Sequence, residues 1–155
     1  MRTATVNDAP ALAALINDAF QVERFFKAGD RTSPAAVVAL MTTGEFLIVE
    51  GTDAAPAACV YVKQNGTRGY FGMLSVDPRL QGRGLARQVI DEVEQRCRRA
   101  GCTAIDIYVV NLRTELPGFY RRLGYSESGV APFPDPTEAT RPCHIIVMTK
   151  ALTPE

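Results

Sequence analysis

The sequence predicts an α/β fold built on one mixed sheet with helices on both faces. Three observations predict it. Segments rich in β-branched and aromatic residues alternate with apolar stripes at helical spacing, in the order β-α-α-β-β-β-α-β-α followed by a closing strand pair. Turn-forming residues stand at most junctions between these segments. The 155 residues are 46% hydrophobic and 22% charged, an ordinary balance for a globular chain that buries one core as a single domain, residues 1–155.

Residues 2–6 alternate enough to begin as a strand. Asp8 is placed to cap the first helix, with Pro10 in its first turn. In that helix Leu12, Leu15, Ile16, Ala19 and Phe20 make one apolar stripe. Ser33-Pro34 opens a second helix, whose Val37, Leu40 and Met41 share a face and whose stop is Gly44. Residues 46–50 and 57–62 read as strands, separated by the turn composition of residues 51–56. Asn65-Gly66 marks the next turn, and residues 70–76 form a strand that Asp77-Pro78 closes.

A long helix covers about residues 84–100. Leu85, Val89, Val93 and Cys97 step by four along its apolar face, and Glu92–Arg96 and Glu94–Arg98 read as solvent-side pairs. Gly101 ends it, and residues 104–110 are a β-branched strand. Leu116, Phe119, Tyr120 and Leu123 stripe a short helix that Gly124 stops. Residues 126–142 read as irregular, with four prolines and only a weak strand signal; residues 143–149 are the last strand.

Lysine and arginine number 17, as do aspartate and glutamate, so the formal net charge is zero. That argues against a nucleic-acid partner, which needs positive surplus to meet phosphates. Apolar runs are too short to span a bilayer and the first residues carry no apolar leader, so no membrane partner is expected and the cytoplasm is the expected compartment. Cys59, Cys97, Cys102 and Cys143 form no C-x-x-C pair and His144 is the lone histidine, so no metal site is expected.

The chemistry concentrates in residues 74–87. A strand stops, a short loop carries Gly82 and Gly84, and the long helix begins. Glycines let backbone approach a ligand closely. The helix start offers unpaired N–H groups and the positive end of its dipole, which suits a diphosphate. Arg79, Arg83 and Arg87 step by four and can add charge-assisted bonds. The same residues also read as a solvated strand-to-helix turn. A Walker loop is not met, since Gly84-Leu85-Ala86 stands where Gly-Lys-Ser/Thr is needed, and a dinucleotide fingerprint fails at Arg87.

Gln81-Gly82-Arg83-Gly84-Leu85-Ala86 resembles the Gln/Arg-x-x-Gly-x-Gly/Ala signature of the GNAT superfamily of N-acetyltransferases. Met73-Leu74-Ser75-Val76-Asp77-Pro78 is similar to the central strand of that family, and Phe119-Tyr120-Arg121-Arg122-Leu123-Gly124-Tyr125 to its later helix–turn–strand motif. The element order agrees from near residue 1 to residue 150.

The resemblance implies a mostly antiparallel central sheet and acetyl-CoA as the acyl donor. It implies transfer of the acetyl group to a primary amine of a small molecule or peptide, by direct attack in a ternary complex. The pantetheine arm would lie along the backbone of Leu74, Ser75 and Val76, and the diphosphate on Gln81, Gly82, Arg83, Gly84, Leu85, Ala86 and Arg87. Tyr120 matches the tyrosine that protonates the leaving thiolate; by its stripe alone it reads as a core residue. The family asparagine seven positions before that tyrosine is Arg113 here, with Asn111 nine before, so either residue is a candidate cofactor contact. The carboxylate some members carry twelve before is Tyr108, and Tyr70, Phe71 and Gly72 stand where others place one. The general base is therefore left among Glu23, Asp106 and relayed water.

Residues 21–26 and the proline-rich stretch around Phe133-Pro134-Asp135-Pro136 are the expected acceptor-side wall and lid. The missing carboxylate also motivates a rival reading, a non-catalytic acyl-CoA-binding regulatory module; a binder of another nucleotide is a third. The oligomeric state is open between monomer and homodimer. The zero net charge is uneven along the chain. Residues 79–122 hold nine Arg against five acids, and the remainder has the opposite surplus, which points to an anion site in the first set and a cationic acceptor facing the second.

Overall fold

The computed structural model describes residues 1–154. The elements are β1 (Arg2–Thr3), α1 (Ala9–Ala19), α2 (Pro34–Leu40), β2 (Glu45–Glu50), β3 (Pro56–Asn65), β4 (Arg68–Val76), α3 (Leu85–Arg99), β5 (Ala104–Val110), α4 (Leu116–Arg122), β6 (Ser126–Pro132) and β7 (His144–Ala151). The seven strands form one sheet in the order β1-β2-β3-β4-β5-β7-β6. Every neighbouring pair is antiparallel except β4 and β5. This is the mixed, mostly antiparallel sheet that the sequence predicts, with the predicted element order.

Strand periodicity sorts the core into two layers. Leu47, Ala58, Val60 and Phe71 face Val89, Ile90 and Val93 of α3. Their alternating neighbours Phe46, Ile48, Cys59 and Tyr61 face Leu12 and Ile16 of α1 and Val37 of α2. Residues 57–62 are buried throughout, so this strand reads as a continuous apolar run. No helix among the described residues is long and apolar enough to cross a membrane.

Two features of the sheet create a cleft. First, β4 and β5 pair only over Arg68–Tyr70 and Ala104–Asp106, then part. Second, β4 carries a bulge. Cys59 pairs with Ser75 and Tyr61 with Gly72, so Met73 and Leu74 together oppose Val60. Met73 has φ +52°, left-handed backbone for a non-glycine residue. Ser75, fully buried, donates its hydroxyl to the Met73 carbonyl at 3.0 Å and bolts the bulge in place.

Local expectations are corrected at five points. The first strand ends at Thr3, because the Asp8 carboxylate accepts the Thr5 N–H (2.8 Å) and pairs with Arg2 (2.9 Å), curling residues 6–8 into a 3₁₀ turn. Asp8 therefore caps that turn and leaves α1 without a side-chain cap. Residues 126–132 are a strand, exposed along most of its length and held by its ladder to β7. Glu94 is 4% exposed rather than on the wet side: it accepts from the Tyr125 hydroxyl and from Lys150 Nζ, each at 2.9 Å. Arg96 pairs with Glu45 at 2.8 Å, across to β2, and not with Glu92.

Candidate active site

Where β4 and β5 part, a cleft of about 1080 Å³ opens. At one end it meets the exit of β4 and the start of α3. At the other it is lined by the connection between α1 and α2 and by the loop between β6 and β7.

Leu74, Val76, Gln81 and Ala86 line the first end. Ser75 does not; it serves the bulge. Leu85 is half-buried, and Gly82, Arg83, Gly84 and Arg87 lie exposed on the adjoining loop and first turn. Gly82 has φ +80° and Gly84 φ +78°, and a Cβ at either would meet nothing within 4 Å. The glycines are needed for backbone conformation, not for room. Gly84 is the N-cap of α3 and supplies no side-chain acceptor, so the first N–H groups of a 15-residue helix are left for an anion.

Arg79 is committed elsewhere: its guanidinium pairs with Asp77 at 2.8 Å and its N–H bonds the same carboxylate, which holds the Asp77 carboxyl below its ordinary range. Arg83 and Arg87 make no ion pair among the described residues, whereas Arg96, Arg98, Arg113 and Arg121 each do. Of the four arginines in residues 79–122 without an ion pair among the described residues, Arg83 and Arg87 flank the anion loop, while Arg99 and Arg122 lie at the far end of α3 and on α4. An acyl-CoA fits this donor set: a bulged strand edge for an amide-bearing arm, then free amides and two unpaired arginines for phosphates.

Tyr120 lies on α4 in the cleft wall, packed edge-on to Phe119 (5.1 Å between ring centroids) and Tyr125 (5.8 Å). It is 8% exposed. Burial pushes its phenol up to about 12, with Arg113 opposing and Tyr70 adding to the rise. The hydroxyl is therefore a protonated acid throughout the neutral range.

Asn111 and Arg113 are separated by the structure. The Asn111 N–H donates to the His144 carbonyl (3.0 Å) and its Oδ1 accepts the His144 N–H (2.8 Å), extending the β5–β7 ladder by one rung. Asn111 is not in the cleft wall; Arg113 is. Arg113 bonds Glu23 at 2.8 Å and Glu115 at 3.0 Å. The candidate bases divide in the same way. Asp106 is held by Arg68 (2.6 and 2.8 Å) and by the Thr149 hydroxyl (2.6 Å), bonds that keep its carboxyl below the usual range, and it stands outside the wall. Glu23 is in the wall and buried.

Several wall residues escape a reading by pattern. Tyr70 folds over Gly72, where a Cβ would sit 2.5 Å from its hydroxyl, and its ring meets Tyr108 at 5.1 Å. Burial raises the Tyr70 phenol, with Arg31 acting against it. The usable signal was glycine two residues on, on the same strand face. Lys27, Arg31, Thr32 and Glu138 also line the cleft. Of the expected acceptor segment, Glu23 is in the wall together with its neighbour Phe20, and Phe133, Pro134 and Asp135 come from the expected lid. The two segments are joined: Ala28 N–H to the Glu138 carbonyl (2.9 Å), Thr140 N–H to the Phe26 carbonyl (2.7 Å), and Lys27 to the Glu138 carboxylate (2.7 Å). Glu23, Asp30 and Glu138 are matched by Arg113, Arg24 and Lys27, which leaves Asp135 as the carboxylate at this end with no ion pair among the described residues.

A family model described as acetyltransferase (GNAT) family matches residues 10–125. Solved structures share the fold at low identity. Nourseothricin acetyltransferase is 17% identical with a TM-score of 0.76, over 98% of this chain and 97% of that one. Ribosomal-protein-alanine N-acetyltransferase from Brucella melitensis is 18% identical with a TM-score of 0.75, over 97% and 98%. A GNAT family acetyltransferase from Elizabethkingia anophelis with acetyl-CoA bound is 15% identical with a TM-score of 0.68, over 77% and 84%. By the family model and by the parted, bulged sheet beneath it, this chain belongs to the GNAT acetyltransferase family.

Proposed function

We propose that the chain, acting as one domain over residues 1–155, is an acetyl-CoA-dependent N-acetyltransferase that acylates a primary amine by direct attack in a ternary complex. The observation that carries this reading is the meeting, in one cleft, of the bulged β4 edge, the anion loop at α3 and the protonated phenol of Tyr120.

The backbone of Leu74, Ser75 and Val76 would hold the pantetheine arm as an added strand. The amides of residues 82–87, with Gln81, Arg83 and Arg87, would hold the diphosphate. Acetyl-CoA bound there supplies a thioester: the C–N bond to the amine forms and the C–S bond breaks. Tyr120 Oη gives its proton to the departing sulfur and is reprotonated from solvent. A thiolate of pKa about 8.5 is a weak enough base to leave readily with that help. Glu23, which lines the cleft where Asp106 does not, takes the proton the amine must lose, directly or through water. Of the two candidate cofactor contacts, Asn111 bonds the His144 backbone at the end of the β5–β7 ladder and Arg113 lines the cleft, which favours Arg113.

The test is an assay of CoA thiol release over a panel of amines. Saturable, amine-dependent release supports the reading. Acetyl-CoA binding without release on every amine supports the non-catalytic module.

A further inference from the structure

The ion pairs at the far end of the cleft leave one cation and one carboxylate over, and the two do not meet. Glu23, Asp30 and Glu138 are each paired with a cation other than Arg31. Asp135, the remaining carboxylate there, accepts from the Thr137 hydroxyl at 2.8 Å and forms no ion pair with Arg31. Two lining cations are left with no ion pair among the described residues: Arg122 on α4, and Arg31 on the connection between α1 and α2. Arg31 is the one that stands among the acceptor-side residues. Its guanidinium carbon lies 5.2 Å from the centroid of the Phe20 ring, itself part of the wall, which holds the head group while leaving its N–H edge without a protein partner among the described residues.

The next residue adds a second donor. Thr32 is a further residue of the lining, and its buried Oγ1 has no hydrogen-bond partner. A buried hydroxyl without a partner is costly, and a ligand that supplies an acceptor relieves it. The backbone that presents both groups is fixed. Asn17 of α1 accepts the Thr32 N–H at 2.9 Å and donates to the Thr32 carbonyl at 3.1 Å. A guanidinium and a hydroxyl on consecutive residues, the second on a clamped backbone, offer donors of the kind that meet the two oxygens of a carboxylate.

We infer that the acceptor is a small amino-carboxylate, its amine directed to the reaction centre and its carboxylate bound by Arg31 and the Thr32 hydroxyl. This rests on the transferase reading for the fate of the amine. A small acceptor is favoured by the bonds joining residues 26–28 to residues 138–140, which tie together the two segments that bound this end of the cleft. Arg31, Thr32 and Tyr120 line the same cleft, so the carboxylate site and the acid share one cavity.

The experiment compares amino acids with their carboxamides: the common α-amino acids, β-alanine, γ-aminobutyrate and ε-aminocaproate, each against the matching amide. Wild type and Arg31→Gln are assayed for CoA release, and Thr32→Val for confirmation. Arg31 is exposed, so its variant folds, and an unchanged thermal shift with acetyl-CoA verifies this. The expected result is turnover of at least one carboxylate in preference to its amide. Arg31→Gln then raises KM for that carboxylate by about ten- to a hundredfold, with kcat and the KM of the amide little changed. Equal use of carboxylate and amide by wild type, or an equal loss on both in Arg31→Gln, overturns the inference while the transferase reading stands. If no amine releases CoA, the transferase reading falls. Calorimetric titration of the same amino acids into CoA-saturated protein then decides the site alone. Binding to wild type but not to Arg31→Gln upholds it, and no binding, or equal binding, overturns it.

Discussion

Arg113 Nη1 donates to Glu23 Oε2 at 2.8 Å, joining residues 90 positions apart and tying the loop after β5 to the turn after α1. Both side chains are poorly exposed, 16% and 9%. Removing one partner of such a pair leaves the other charge buried and uncompensated, at a cost of about 3 kcal/mol. Arg113→Met is therefore expected to lower the melting temperature by about 6–12 °C. The double variant Glu23→Gln/Arg113→Met recovers much of that loss. Additive losses in the double-mutant cycle would mean that the pair is not coupled.

Tyr120→Phe is expected to lower kcat about a hundredfold while the KM for acetyl-CoA stays near wild type. The pH dependence has a definite sign. An acid works in its protonated form, and burial holds this phenol up at about 12. The wild-type kcat profile should thus show no alkaline limb from Tyr120 until pH approaches that value. A limb near 10, where an ordinary phenol ionises, would contradict the assignment. The same raised phenol is linked to folding. The native state holds its proton more tightly than the unfolded chain, so stability falls as pH rises from 10 toward 12. Denaturant titrations at a series of alkaline pH values measure it.

Glu23→Gln removes the proposed proton acceptor and keeps the shape of the side chain. At neutral pH the amine is mostly protonated, and turnover is expected to fall at least about tenfold. As pH nears the ordinary amine range of about 10, the acceptor loses its proton unaided and the deficit narrows. A deficit constant across pH would make Glu23 a structural partner of Arg113 only.

Legibility in sequence followed the range of the interactions. The strand–loop–helix of residues 74–86 was readable because its devices are consecutive: a proline stop, two glycines and a helix start. Gly82 and Gly84 adopt the positive φ that such a loop requires. Tyr120 could be placed on a stripe, yet its surroundings come from β4 and from the loop after β5. Whether Asn111 or Arg113 reaches the cleft depends on how far the β5–β7 ladder runs, and the His144 backbone decides it. Glu94 looked like a solvent-side helix residue because Tyr125 and Lys150, which accommodate its burial, lie 31 and 56 positions away. β6 was nearly invisible because an edge strand with mostly exposed side chains is specified by backbone pairing. The Arg31–Thr32 corner was missed because what marks it is the absence of partners.

Gly84→Ala tests the anion loop. A methyl at this position meets nothing, so the cost is backbone strain alone, about 1–2 kcal/mol for left-handed φ. Urea unfolding measures it, and Gly84→Asn, better suited to that conformation, loses less. Affinity for acetyl-CoA should fall with Gly84→Ala, as the helix-start amides turn away from the phosphates. Unchanged affinity would remove the diphosphate from this loop.

The central claim is that this cleft transfers an acetyl group from acetyl-CoA to an amine. The most direct measurement follows CoA thiol release together with the mass of the acceptor, across the carboxylate and carboxamide panel. The account predicts saturable, amine-dependent release matched by acceptor that has gained one acetyl group, and its loss in Tyr120→Phe. Protein that binds acetyl-CoA yet releases no thiol with any amine would contradict it.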